Sequence, residues 1–151
     1  MRAPRRVNLI GEHADYNDGF VLPLAIDRAT WIALRARDDT TVRLHSLEQK
    51  EMCEFKVANL EKGRSGWWGE YPTGVAWSLG EEGYKLRGWE GVSACDVPMS
   101  AGLSSSASFE LAVARAFAVA SDLAWEPREM ARLCQKAENR WVGVKCESWI
   151  R

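Results

Sequence analysis

A short stretch near the start of the chain combines side chains that are suited to holding a sugar. Residues 6–19 read Arg-Val-Asn-Leu-Ile-Gly-Glu-His-Ala-Asp-Tyr-Asn-Asp-Gly, so an arginine, a histidine and several carboxylates surround a glycine turn after an apolar run. Carboxylates accept hydrogen bonds from hydroxyls, an imidazole donates or accepts them, and glycine lets the backbone turn where a side chain would collide. The composition predicts a site for a polyhydroxylated ligand. Taken alone, it also fits an ordinary polar turn.

A second stretch, residues 98–108, reads Pro-Met-Ser-Ala-Gly-Leu-Ser-Ser-Ser-Ala-Ser. It follows a predicted strand and opens into a predicted helix, where free backbone N–H groups and the helix dipole favour an anion. It lacks the Gly-Lys-[Ser/Thr] ending of a P-loop, which excludes that mechanism. The residues by themselves leave two interpretations open, a phosphate-binding loop and a structural turn.

Together, in this order and at this separation, the two motifs resemble those of the galactokinases, a family of the GHMP small-molecule kinase superfamily. The resemblance continues through residues 21–26, 68–75 and 137–144 and spans nearly the whole chain. It implies an α+β fold, the N-terminal GHMP-kinase domain over residues 1–151, with the C-terminal domain of the family absent. That fold is like the second domain of a small-subunit ribosomal protein. The implied reaction is ATP-dependent phosphorylation of galactose at its anomeric hydroxyl, giving galactose 1-phosphate.

The resemblance also implies roles for individual residues. Arg6 corresponds to the arginine that stabilises charge on the transferring phosphoryl group. The residues that correspond to the sugar-binding ones are Glu12, His13, Ala14 and Asp15, with Ala14 in place of the usual threonine. The triphosphate loop corresponds to Ser100, Ala101, Gly102, Leu103, Ser104, Ser105 and Ser106. Ser106 and Glu138 correspond to the Mg²⁺ ligands, and Ser46 and Trp68 are expected near the ATP. This set suits phosphoryl transfer, which needs positioning, a metal that bridges phosphate oxygens, and a cation.

Besides Ala14, two positions in or near these motifs depart from the family pattern. Ser100 stands where the family has glycine, so its side chain either crowds the nucleotide or is tolerated by the local backbone. Arg5 also replaces a glycine, and the family has a further segment before this point. The start of the chain is therefore expected to be misassigned or partial.

The largest departure is at the position of the catalytic base. The family pattern is Cys-Gly-Ile-Met-Asp-Gln, in which the aspartate takes the proton of the sugar hydroxyl, whereas residues 146–151 read Cys-Glu-Ser-Trp-Ile-Arg. Ile150 cannot accept a proton. Removing one G from TGC GGA ATC ATG GAT CAG gives TGC GAA TCA TGG ATC AG, which encodes Cys-Glu-Ser-Trp-Ile and then Arg when a purine follows. Our hypothesis is that residues 147–151 are a frameshifted tail, which the nucleotide sequence can test.

Two classes of function remain after this comparison. The first is an enzyme, a kinase of galactose or of another galactose-like sugar. The second is a sensor that holds sugar and nucleotide without turnover, or an inactive truncated product. Because of Ile150, we expect an inactive fragment. The family is expected to be monomeric, and a fragment without its second domain is expected to self-associate through exposed apolar surface.

Composition excludes several other classes of function. A chain of 151 residues with 46% apolar side chains buries one ordinary core. A net charge of −1 and scattered arginines provide no basic stripe for nucleic acid and no polybasic face for a membrane. The chain shows no signal-peptide apolar region and no run of about 18 apolar residues, which predicts a location in the cytoplasm. The four cysteines are far apart, which predicts reduced thiols rather than a zinc site or a disulfide framework.

Local patterns predict the elements that must position the two motifs. Alternation of apolar and polar residues predicts strands at 29–37, 41–46, 53–57 and 91–97, with a turn at Asp38 and Asp39. Helical spacing predicts helices over 68–79, after the serine-rich loop, and from Pro127 onward. The apolar stripes of the last two helices are predicted to be core; they are Phe109, Val113, Ala116, Phe117 and Ala120, and Met130, Leu133, Cys134, Ala137 and Trp141.

Overall fold

The computed structural model describes residues 1–10, 20, 22–63, 65–96 and 105–144. Its elements, in chain order, are β1 (Arg2–Ile10), β2 (Leu22–Ala36), β3 (Thr41–Ser46), β4 (Glu51–Lys56), α1 (Glu70–Glu81), β5 (Trp89–Cys95), α2 (Ser105–Ala120), α3 (Pro127–Ala137) and a π-helical turn at Glu138–Val142. The predicted α+β fold class is confirmed.

The five strands form one sheet in the order β1-β2-β5-β3-β4. All neighbouring pairs are antiparallel except β3 and β5, which are parallel. Strand β2 begins seven residues earlier than predicted, at Leu22 instead of position 29. The extra residues pair with β1 over the register from Leu22 opposite Ile10 to Ala29 opposite Pro4. This pairing depends on a partner strand, so alternation within β2 alone could not predict it.

The three helices pack together, and α2 covers one face of the sheet against β1, β2 and β5. The core lies between these two layers. At its centre Trp89 of β5 meets Phe117 of α2 edge-to-face, with ring centroids 5.6 Å apart, and both side chains are fully buried. The predicted apolar stripes of α2 and α3 are buried, which confirms them as core.

The turn between β2 and β3 lies at residues 38–40, as predicted. Asp39 accepts a hydrogen bond from the Thr41 N–H (3.0 Å) and pairs with Arg37 (2.7 Å), which also pairs with Glu90 on β5 (2.8 Å). Hydrogen bonds from the Arg37 guanidinium hold the pKa of Asp39 well below its usual range. The carboxylate therefore stays charged, and the turn stays tied to β5, well into the acidic range.

Helix α3 begins at Pro127, as predicted, and the Glu126 carboxylate caps it by accepting from the Glu129 N–H. Helix α1 begins at Glu70, two residues later than predicted, because Trp68 belongs to the turn before it. None of the helices within the described ranges is long and apolar enough to span a membrane. Cys53, Cys95 and Cys134 are free thiols, and burial raises the pKa of Cys53 to about 12.

Candidate functional site

The segment 97–104 lies outside the described residues, and β2 holds the residues on either side of it. The Asp96 carboxylate accepts a hydrogen bond from the Ala29 N–H (2.9 Å), and this bond lowers the pKa of Asp96. The Ser108 hydroxyl in the first turn of α2 lies 2.9 Å from the buried Thr30 hydroxyl. Ala29 and Thr30 are consecutive, so one dipeptide of β2 sets the distance between the end of β5 and the start of α2.

A cavity of about 360 Å³ opens beside the first turn of α2. The described residues that line it are Gln49, Glu51, Gly66, Trp67, Trp68, Tyr71, Ser105, Ser106 and Phe109. Aromatic faces can stack on a flat base, and the start of a 16-residue helix attracts phosphate. The lining includes three residues that the sequence predicts at the nucleotide, namely Trp68, Ser105 and Ser106.

Glu51, at the start of β4, orients both tryptophans of this cavity. Its Oε2 atom accepts hydrogen bonds from the indole N–H groups of Trp67 (3.2 Å) and Trp68 (3.1 Å). On its other side Trp68 meets Phe109 edge-on, with ring centroids 6.3 Å apart. Sequence reasoning missed Glu51, because a single carboxylate on a short strand carries no motif.

Ser46 lies at the end of β3 and does not line the cavity directly. It is buried, accepts a hydrogen bond from the Gln49 N–H (3.2 Å) and donates one to Glu48 (3.3 Å). Ser46 thus holds the turn that carries Gln49 to the cavity wall. Contact between Ser46 and a nucleotide stays a prediction.

Two buried carboxyl groups lie behind the first turn of α2. Glu110 follows Ser106 by one helical turn, on the same face of α2, and is 1% exposed; Glu138 begins the π-helical turn and is 5% exposed. Within the described residues the Oε1 atom of Glu110 has no hydrogen-bond partner. Burial and then the charge of Glu138 raise the pKa of Glu110 well above its usual value. Burial, followed by the same two carboxyl groups, also raises the pKa of the Cys134 thiol.

This carboxyl pair fits a divalent cation. Mg²⁺ is usually held by one or two carboxylates together with water and substrate phosphates. The donors that the described residues offer are the carboxylate of Glu138, which the resemblance assigns to Mg²⁺, and the unpartnered oxygen of the neighbouring Glu110. In the part of the chain that the structure describes, no three His, Cys, Asp or Glu side chains are grouped to hold a metal. An ion at this site would therefore take its remaining ligands from the nucleotide and water.

Replacing Glu110 with glutamine should raise the free energy of unfolding, and the gain should grow as the pH rises above about 4.5, the ordinary value of the glutamate pKa. Because burial raises the pKa of Glu110 in the folded protein, the unfolded chain releases this proton at a lower pH than the folded protein does, so wild-type stability falls as the pH rises above about 4.5. At neutral pH the gain should be about 1–3 kcal/mol. Urea unfolding between pH 4.5 and 8 measures it. Glu81→Gln, at an exposed position of α1, is the control, and a pH-independent gain for Glu110→Gln would contradict the assignment.

The remaining predicted residues are distributed as follows. Arg6 lies on β1, half-buried, and its Nη1 atom donates a hydrogen bond to Asn8 Oδ1 (3.1 Å). The predicted sugar-binding residues lie outside the described residues; they are Glu12, His13, Ala14 and Asp15. The first five residues of the predicted triphosphate loop also lie outside them, namely Ser100, Ala101, Gly102, Leu103 and Ser104. The same holds for residues 145–151, and hence for Ile150.

Arg5, which stands at the glycine position of the family pattern, is completely buried. Arg5 lies on the same buried side of β1 as Ala3. The next residue, Arg6, is half-buried. A guanidinium is rarely buried to this extent. The departure from the pattern at this position therefore puts a guanidinium in the interior of the domain.

Two family models match the chain. Residues 1–36 match the galactokinase galactose-binding signature, and residues 70–149 match the N-terminal domain of GHMP kinases. The first range contains Arg6, and the second contains Ser106 and Glu138. Each of the two motifs on which the resemblance rests thus falls within a matched range.

The curated relatives that match include the galactokinases of Roseiflexus sp. (strain RS-1) and Thermococcus kodakarensis. They are 48% and 46% identical to this chain over 146 and 144 residues. These alignments cover 97% and 95% of this chain but only 37% and 40% of the relatives. The chain thus spans less than half the length of either relative.

Solved structures show the same relationship. The crystal structure of Lactococcus lactis galactokinase complexed with galactose superposes with a TM-score of 0.88 at 37% identity, covering 97% of this chain and 38% of that one. Mevalonate kinase from Methanococcus jannaschii superposes with a TM-score of 0.76 at 21% identity, over 92% of this chain and 45% of that one. The second similarity concerns the fold alone.

Proposed function

Because the chain belongs to the GHMP kinase family through the N-terminal domain matched by residues 70–149, we propose that it carries the nucleotide-binding part of an ATP-dependent galactose kinase. In the proposed reaction the anomeric hydroxyl of galactose attacks the γ-phosphorus of ATP, giving galactose 1-phosphate and ADP. The observation that carries the proposal is the aromatic cavity that opens at the first turn of α2. The proposed location of this reaction is the cytoplasm.

The proposal gives each part of the site a task. The base of ATP lies against Trp67, Trp68 and Tyr71, and its phosphates lie along residues 100–106 at the positive end of α2. Ser106 and Glu138 would hold Mg²⁺, which when bound offsets the phosphate charge. Arg6 stabilises the charge that develops on the transferring phosphoryl group.

Galactose is the proposed sugar because residues 1–36 match a galactose-binding signature. Glu12, His13 and Asp15 are the proposed partners of its hydroxyls, and Ala14 lies among them without a polar side chain. A sugar that differs from galactose at one hydroxyl is the alternative substrate. Binding assays with a panel of galactose epimers, on this chain through Val144 joined to the rest of the Roseiflexus galactokinase, distinguish these cases, because a lost hydrogen bond at a built site lowers affinity strongly.

The 151-residue chain should bind ATP in the presence of Mg²⁺, and Ser106→Ala should weaken this binding by about tenfold or more. The reason is that an interaction of the Ser106 hydroxyl with a charged phosphate or with Mg²⁺ is worth about 1.5–3 kcal/mol. Calorimetric titration measures the affinity. Adenosine, which has no phosphates, should bind equally well to both proteins. Ser65→Ala, at an exposed turn position, should change neither affinity. An equal loss for ATP and adenosine would exclude the phosphate-side role of Ser106.

A second candidate function is a sensor that binds sugar and nucleotide without turnover. The observation that favours it is Ile150 at the position of the family's catalytic aspartate. A sensor should bind galactose tightly at equilibrium, whereas a kinase part without the rest of the sugar site should bind ATP weakly and galactose hardly at all. Titration with galactose in the absence of nucleotide separates the two.

A further inference from the structure

A buried contact between α1 and the π-helical turn involves two residues that the proposed function does not use. Glu70, the first residue of α1, is 6% exposed, and Trp141 in the turn is 8% exposed. The indole N–H of Trp141 donates to Glu70 Oε2 (2.8 Å), and the Gly63 N–H donates to Glu70 Oε1 (2.8 Å). Both carboxylate oxygens of Glu70 are thus engaged, one of them by the turn that begins at Glu138.

The indole ring of Trp141 is held from its other sides as well. It packs against Gly74 of α1 so closely that an added Cβ there would lie 3.0 Å from the ring. The Trp77 ring lies against it with centroids 5.6 Å apart. The Lys62 ammonium lies 5.6 Å from the ring centroid and donates to the Arg140 carbonyl (3.3 Å). Trp141 therefore has little room to take another position.

The backbone around Trp141 makes this restraint matter for Glu138. The turn is wider than an α-helix, since the Glu138 carbonyl accepts from the Gly143 N–H (2.9 Å) five residues later. A π-helical turn contains one residue more than an α-helical turn. The position of this turn in the chain therefore determines the direction in which the side chains of the turn point. Trp141 follows Glu138 by three residues and lies in the same turn.

We infer that Glu70 is a positioning residue, which orients the Glu138 carboxylate by holding Trp141 and with it the π-helical turn. The inference rests on the proposed function, because that function gives Glu138 its Mg²⁺. Glu70 itself touches neither nucleotide nor metal in this scheme. The effect of losing the Glu70–Trp141 hydrogen bond should therefore be confined to the part of nucleotide binding that depends on Mg²⁺.

The decisive variant is Trp141→Phe, which keeps an aromatic ring and removes the indole N–H that donates to Glu70. The control is Trp77→Phe, the same substitution in the stacked partner, which leaves the Glu70–Trp141 hydrogen bond in place. Trp141→Phe should abolish most of the Mg²⁺-dependent gain in ATP affinity, about tenfold, and leave ATP affinity without Mg²⁺ unchanged. Trp77→Phe should keep the gain. Calorimetry with and without Mg²⁺ measures both.

Amide hydrogen exchange supplies a readout that needs no ligand. The amides of Gly143 and Val144, which both donate to the Glu138 carbonyl, should exchange about tenfold faster in Trp141→Phe than in Trp77→Phe. If the wild-type chain shows no Mg²⁺-dependent gain, the proposed function fails, and exchange alone still decides whether Glu70 holds the turn. Glu70→Gln, which leaves one acceptor oxygen for two donors, replaces Trp141→Phe if that variant does not fold. A folded variant with unchanged exchange and an unchanged Mg²⁺ gain overturns the inference.

Discussion

The 151-residue chain is expected to release ADP from ATP no faster with galactose than without it. Ile150 stands where the family pattern has the aspartate that takes the proton of the sugar hydroxyl, and a positioned general base is worth about 10²–10⁴-fold in rate. The chain also spans only 37% of the length of the Roseiflexus relative. Alignment of the reacting groups is worth several kcal/mol more, so a chain tested without the remaining length loses that contribution too.

Four proteins distinguish the effect of the missing general base from the effect of the missing alignment of the reacting groups. The first two are the 151-residue chain and its Ile150→Asp variant. The other two are this chain through Val144 joined to the rest of the Roseiflexus galactokinase, once with the family's aspartate and once with isoleucine in its place. A coupled assay of ADP release should find activity only in the long chain that carries aspartate. An active short Ile150→Asp variant would show that the base alone had been missing.

The second large effect is expected at the junction between the β2–β3 turn and β5. An alanine Cβ at position 88 would lie 2.3 Å from the Thr41 carbonyl oxygen and 2.8 Å from that of Asp39. The Gly88 N–H also donates to the Asp39 carbonyl (2.8 Å), and the Gly88 carbonyl accepts from the Arg37 N–H (2.9 Å). Because the clashing atoms are backbone, the strands must separate, and Gly88→Ala should lower the free energy of unfolding by about 3 kcal/mol or more.

Urea unfolding measures this loss against the stability of about 5–15 kcal/mol that is typical of a domain. The control is Gly80→Ala in α1, where an added Cβ meets nothing within 4 Å. Alanine is the better helix former by about 0.5–1 kcal/mol, so the control should gain stability. A Gly88→Ala protein with the wild-type unfolding midpoint would mean that the backbone at this junction can move apart with little loss of free energy, contrary to this prediction.

Most secondary structure could be predicted from local pattern. Strand β3 has the predicted bounds, Thr41–Ser46, and α3 begins at the predicted Pro127. Side-chain direction repeats every two residues in a strand and about every 3.6 in a helix, so a buried face leaves its period in the sequence. The largest errors occur where a distant partner decides the strand, because the patterns predict no strand over Arg2–Ile10 and begin β2 at residue 29. Strand β2 extends back to Leu22 because β1 pairs with it.

The candidate site likewise contains residues that the sequence predicts and residues that it does not. The motifs predicted Trp68, Ser105 and Ser106, and these three residues line one cavity. The cavity also depends on Glu51, which has no motif of its own and becomes visible only through its two indole partners. The role of the cavity in binding nucleotide stays a prediction that the titrations above address.

The sequence by itself determined the family and the order of the two motifs. It also determined the alternation of apolar and polar residues that gives the sheet an apolar face for the helices to cover. Only the tertiary structure decided that Thr30 meets Ser108, that Glu70 meets Trp141, and that Glu110 is buried near a second carboxyl group. The first two contacts join residues 78 and 71 positions apart. Periodicity reports which way a side chain points within its own element, but the identity of its neighbour depends on how the elements pack, which no local pattern encodes.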